Sequence, residues 1–171
     1  MNRSQITAVI IFISILCSCR QGKEASKSDQ PNKVSNRGKV LVGMTITSIS
    51  IEEFPQYNMK GEKWDAYSPF LENPDISLTV KWMKTELYRS LTFEDYWSNV
   101  PIQLTGNLPL EIKPFDQNLI IEIFDEDGLS ADDNMAVINF KPLDFKNKSE
   151  AFLKSQNGQA TVKLGLQWFY E

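Results

Sequence analysis

The sequence predicts an all-β fold, an antiparallel sandwich, and three observations predict it. From residue 40 onward the apolar residues come in short runs rich in Val, Ile and Thr, several of them alternating with period two. The segments between the runs hold most of the Pro, Gly, Asn and Asp, the residues that turn a chain. The runs do not alternate with long helical patterns, which argues against a parallel sheet. The chain has 171 residues, room for one domain of about 100–150 residues with appendages.

The first appendage is residues 1–18. Arg3 supplies a basic start, and Ile6–Cys17 is an apolar run of 12 residues. That is short for a membrane span, which takes ~20 residues, and the right length for the apolar region of a signal peptide. Leu16-Cys17-Ser18-Cys19 resembles the lipobox of bacterial lipoproteins: an aliphatic residue, two small ones, then Cys. The resemblance implies cleavage after Ser18, a thioether lipid on Cys19 and an acylated (palmitate-type) amine, together a stable membrane anchor. The residues alone also fit an ordinary secretory signal. Arg20 rather than Asp follows Cys19, so no inner-membrane retention signal is present and the outer membrane of a bacterial envelope is favoured. Residues 19–39 carry no aromatic residue and no aliphatic one larger than Ala except Val34. Such a stretch buries too little to fold and reads as a tether.

The domain, residues 40–171, is built from strands. VLVGMTITSISI (40–51) comes first, then ISLTVKW (76–82), VPIQL (100–104), NLIIEIF (118–124), MAVINF (135–140) and ATVKLGLQWFY (160–170). KSEAFLKSQ (148–156) is expected as a single helical insertion, being rich in good helix formers.

Charge and composition remove whole classes of chemistry. Residues 1–39 hold seven Lys/Arg against two Asp/Glu, which leaves eleven basic and twenty acidic groups in residues 40–171. A domain that acidic repels phosphate backbones, so nucleic acid is not expected as a partner, and a cation is. The chain has no His, and its two Cys, Cys17 and Cys19, both precede the domain. His-based acid–base work, thiol nucleophiles and domain disulfides are therefore excluded.

The acids concentrate in one place. Phe124-Asp125-Glu126-Asp127-Gly128-Leu129-Ser130-Ala131-Asp132-Asp133 sets five carboxylates within nine residues between two apolar strands. Their repulsion is relieved by full solvation or by a bound cation. Ca²⁺ takes six to eight oxygens at 2.3–2.6 Å and tolerates irregular geometry. An EF-hand is ruled out by Gly128 standing fourth in the loop and by strands on both sides.

Leu119-Ile-Ile-Glu-Ile-Phe-Asp125-Glu-Asp127, followed by Asp133-Asn134-Met135-Ala136, resembles the third calcium loop of C2 domains such as those of synaptotagmins and conventional protein kinases C. Asp125, Asp127 and Asp133 match the family spacing, and Ala136 stands where a Gly is usual. Upstream, Asn73-Pro74-Asp75-Ile76-Ser77-Leu78-Thr79-Val80 resembles the family's first-loop strand, whose Asp is a ligand. Asp95–Leu104 is a looser match to a later strand. The resemblance covers residues 40–171. It implies an eight-stranded C2-like Greek-key sandwich with Ca²⁺ held by Asp75, Asp125, Asp127, Asp133 and Asp65. Asp65 stands ten residues before Asp75, so its loop needs four residues beyond the family's length, and Pro69 occupies the usual ligand position. Asp132 is expected as an outward neighbour.

The resemblance also implies apolar loop tips that meet a membrane or partner: Tyr67, Phe70, Leu71 and Leu129. The residues themselves equally fit Phe70 and Trp64 capping the end of the core. The function expected is a lipid-anchored binding module, attaching with Ca²⁺ to anionic lipid, envelope glycan or protein. The alternative is a structural protein–protein module in which Ca²⁺ only stiffens loops or has no part. No enzyme is expected, since nothing marks a sugar-sized cleft between paired acids.

Overall fold

The computed structural model describes residues 38–64, 73–96, 99–113, 115–126 and 132–171. Within them nine strands form two antiparallel sheets: β1 Leu41–Glu53, β2 Ile76–Trp82, β3 Thr85–Arg89, β4 Ile102–Gln103, β5 Leu110–Ile112, β6 Leu119–Asp125, β7 Asp133–Phe140, β8 Glu150–Lys154 and β9 Thr161–Tyr170. One sheet runs β4-β1-β9-β8 and the other β3-β2-β6-β7. β5 pairs β1 at Met44–Ile46 and β4 pairs it at Ser50–Ile51, both on the side that β9 leaves free. The two short strands thus share one place, and the sandwich has eight strand positions as expected.

The core lies between the sheets. Met44, Ile46, Ile49, Ile51, Val162 and Leu164 from the first sheet meet Ile76, Leu78, Val80, Ile121, Ile123 and Ile138 from the second. β6 alternates buried and half-buried residues along its whole length, the pattern of a strand with one face on the core. In β1 the apolar positions slip phase, 44 and 46 but then 49 and 51. An irregularity in the pairing between Ile46 and Ser48 absorbs the extra residue and keeps all four side chains inward. Opposite it stands Gly165, where a Cβ would lie 2.7 Å from Thr47 Oγ1 and nearer still to Ser48 Oγ.

The 148–156 stretch is not helical. It contributes strand β8, whose Ala151 and Leu153 are buried while Glu150, Phe152 and Lys154 are exposed. Its residues favour a helix locally, but burying two of them at period two against Leu164 and Val162 outweighs that weak preference. A 3₁₀ turn, Pro142–Phe145, lies between β7 and β8.

The sandwich has two distinct ends. At one, Val40 and Glu171 exchange backbone hydrogen bonds of 2.7 and 3.0 Å, which joins the residue before β1 to the residue after β9. β1 then runs 13 residues, about 40 Å at ~3.3 Å per residue. At its far end lie the start of β2, the end of β6 and the start of β7. Asp75, Asp125 and Asp133 are at this acidic end, opposite the root end where Val40 and Glu171 pair.

Candidate functional site

Strand register builds the acidic end. Ile76 pairs with Asp125 across β2 and β6, and Asp125 pairs with Asp133 across β6 and β7. A second irregularity, between Ile123 and Phe124, makes Met135 the extra residue on β7 and lets Asp133 come opposite Asp125. Two of the expected ligands thus face each other on β6 and β7, and Asp75 stands just before the neighbouring strand β2.

Their environments differ. Asp125 is 1% exposed, a costly position for a carboxylate without hydrogen bonds. Among its contacts, Oδ1 accepts the backbone N–H of Asp75 at 2.9 Å. Asp75 is half-buried, and its carbonyl accepts the N–H of Glu126 at 2.8 Å. Its carboxylate Oδ1 accepts the N–H of Asp95, also at 2.8 Å. Asp133 is exposed, as is Asp132 beside it. Asp75 and Asp125 are therefore linked through the backbone, and each has one oxygen committed to an N–H.

Glu126 and Asp95 belong to this end although no sequence motif assigns them a role there. Burial raises the Glu126 pKa, but its partners hold it below the ordinary carboxylate value. Thr92 Oγ1 donates to it at 2.6 Å and Arg89 Nη1 stands 3.5 Å away. The Ser77 hydroxyl adds to this from beside it, without reaching hydrogen-bonding geometry. Glu126 is thus turned to a cation of its own chain. Asp95 sits in a turn with φ of 51°, the left-handed region that Asp tolerates better than most residues. From there its N–H reaches Asp75. Only the distant pairing of residues 74–76 with 93–96 reveals this, and no local pattern encodes it.

Asp65, Asp127, Tyr67, Phe70, Leu71, Leu129 and Cys19 lie outside the described residues. Trp64, the aromatic just before them, is half-buried against the core, and its Nε1 donates to the Pro55 carbonyl at 2.7 Å. Among the described residues, no three carboxylates converge closely enough to hold a metal ion. The donors at this end are hard oxygens, and the domain offers neither imidazole nor thiolate. Such a set suits Ca²⁺ rather than a softer transition metal.

No family model matches the chain, and no curated protein matches its sequence. Solved structures do resemble its fold. One described as the structure of a C2 domain is 13% identical with a TM-score of 0.48, over 75% of this chain and 98% of that one. The pair of calcium-bound C2 domains of extended synaptotagmin 2 is 18% identical with a TM-score of 0.47, over 76% of this chain and 46% of that one. Human GIVD cytosolic phospholipase A2 is 11% identical with a TM-score of 0.44, over 78% of this chain and 18% of that one. The chain thus spans nearly all of the first structure and less than half of the other two.

Proposed function

We propose that this chain is an envelope lipoprotein, anchored through Cys19, whose C2-like domain takes up Ca²⁺ at the acidic end and there attaches to anionic lipid or to another envelope component. The observation that carries the reading is the register that sets Asp125 opposite Asp133 and ties Asp75 to Asp125. Asp75, Asp125 and Asp133, joined by Asp127 and Asp65, would hold the ion. Bound there, Ca²⁺ would supply positive charge and open coordination positions for phosphate or carboxylate oxygens. Asp125, held by the Asp75 N–H, fixes the inner carboxylate, and exposed Asp133 leaves the outer one accessible. Residues 19–39 act as the tether, and the outer membrane is the proposed location.

A second reading has its own support. The oxygens of Asp75 and Asp125 that accept N–H groups tie neighbouring segments together by hydrogen bonds. On that reading the domain is a structural module of the envelope, and Ca²⁺ at most stiffens it.

Co-sedimentation of the chain, freed of lipid by Cys19→Ala, with phosphatidylserine-containing vesicles separates the two. Calcium-dependent pelleting lost in Asp133→Asn supports attachment. Pelleting that ignores Ca²⁺ and chelator alike refutes it. In cells, Cys19→Ala should release the protein from the membrane fraction. Processed Cys19→Ala protein that stays membrane-bound would refute the anchor.

A further inference from the structure

We propose that a groove on the flank of the acidic end binds an uncharged saccharide chain. Two contiguous concavities, about 340 and 710 Å³ in volume, share Tyr57, Met59, Asn157 and Gln159. Among the described residues, no Asp, Glu, Lys or Arg lines either of them. That is unusual in a domain with eleven basic and twenty acidic groups, and it sets this surface apart from the carboxylates beside it. Among the described lining residues a charged ligand would find no counter-charge, and a neutral one no repulsion.

The lining matches a sugar in kind. Sugar rings present hydroxyls that both donate and accept hydrogen bonds, and C–H faces that are apolar. Gln156, Asn157 and Gln159 bring amides, which also donate and accept. Tyr57 and Trp64 bring aromatic surface, and Tyr57 is 56% exposed. The smaller concavity falls in the range of small-molecule sites, about 300–1,000 Å³, and the second extends it into an open groove suited to a chain rather than to one ring.

Both walls are held before any ligand arrives. On one, Asn58 Oδ1 accepts the N–H groups of Lys60 and Glu62 at 2.9 and 3.1 Å, closing a hairpin bridged by Tyr57 and Lys63. Trp64 is pinned to Pro55 behind it. On the other, Asn157 Oδ1 accepts the Ser155 hydroxyl at 2.6 Å and the Gln159 N–H at 3.2 Å. Asn157 Nδ2 donates to Gln159 Oε1 at 2.9 Å. Rigid walls lower the ordering cost of binding. The inference does not depend on calcium.

The test is calorimetric titration of the full chain in mild detergent and chelator with tetrasaccharides of glucose, N-acetylglucosamine and mannose, and with a uronic-acid tetrasaccharide. At least one neutral saccharide should bind in the micromolar to millimolar range, and the acidic one more weakly. Tyr57→Ala and Gln159→Ala should each weaken binding about tenfold, and Tyr57→Ala should do so with melting temperature unchanged because its side chain is exposed. The proposal fails if no neutral saccharide binds at millimolar concentration, or if binding survives both variants. It also fails if an extended peptide adding to the edge of β7 occupies the groove while the saccharides do not.

Discussion

The two ends of the sandwich satisfy their polar groups by different means. At the root end the chain closes on itself with backbone bonds between Val40 and Glu171. Around them lie Trp168 donating to the Lys148 carbonyl at 2.9 Å and the Lys148 ammonium 5.2 Å above the Phe145 ring. At the acidic end the polar groups are carboxylates held by N–H donors, one of them 1% exposed. The first arrangement is complete in itself. The second concentrates negative charge that a cation can relieve. Stability and the proposed function are thus divided along the length of β1, and variants at the two ends should behave differently.

The largest effect is expected at the root end. Phe140 is 2% exposed and packs on Phe145 with ring centroids 5.5 Å apart. Phe140→Ala should cost about 3–5 kcal/mol in chemical denaturation, equally with Ca²⁺ and with chelator. A loss that depended on calcium would break the division between the ends. A smaller effect belongs to the middle of the first sheet. Gly165→Ala must displace the Ser48 and Thr47 hydroxyls at the irregularity in β1, costing about 1–3 kcal/mol. A neutral result would mean that the two hydroxyls rotate away freely.

The smallest effect is at the acidic end and depends on pH. Glu126 has its folded pKa below the ordinary value, so its contribution is present above the unfolded pKa and fades as pH falls through the folded one. Glu126→Gln should therefore cost roughly 0.5–1 kcal/mol at neutral pH. In acid, below the carboxylate range, the variant and the wild type should converge. A difference that persisted or grew in acid would show that Arg89 and Thr92 do not act through the Glu126 charge.

Much of the fold was legible because several strands announce themselves. β2 and β6 carry continuous or alternating β-branched runs, and their bounds fall within a residue of those read from the sequence. What was missed lacked a local signal. β3 follows a two-residue turn made by Met83 and Lys84, with Met83 at φ 55°, where Gly or Asn would have marked the hairpin. β8 was masked by helix-favouring residues whose strand pairing is with β9, eleven residues on. At the acidic end, the resemblance singled out Asp125 and Asp133, which the register sets opposite each other. The capping of Asp75 by Asp95 and the pairing of Glu126 with Arg89 are contacts between distant segments, invisible to any window of sequence.

The central claim, that the acidic end holds calcium, is tested most directly by the thermal unfolding of the full chain in Ca²⁺, in Mg²⁺ and in chelator, beside Asp125→Asn. An Asn at 125 keeps an oxygen for the Asp75 N–H, so the chelated variant should still fold. At a hundredfold excess over Kd, Ca²⁺ should stabilise the wild type by about 2.7 kcal/mol, a rise of several degrees. Mg²⁺ should do far less, and the variant should lose the rise. A wild type that melts at the same temperature in millimolar Ca²⁺ as in chelator would contradict the account.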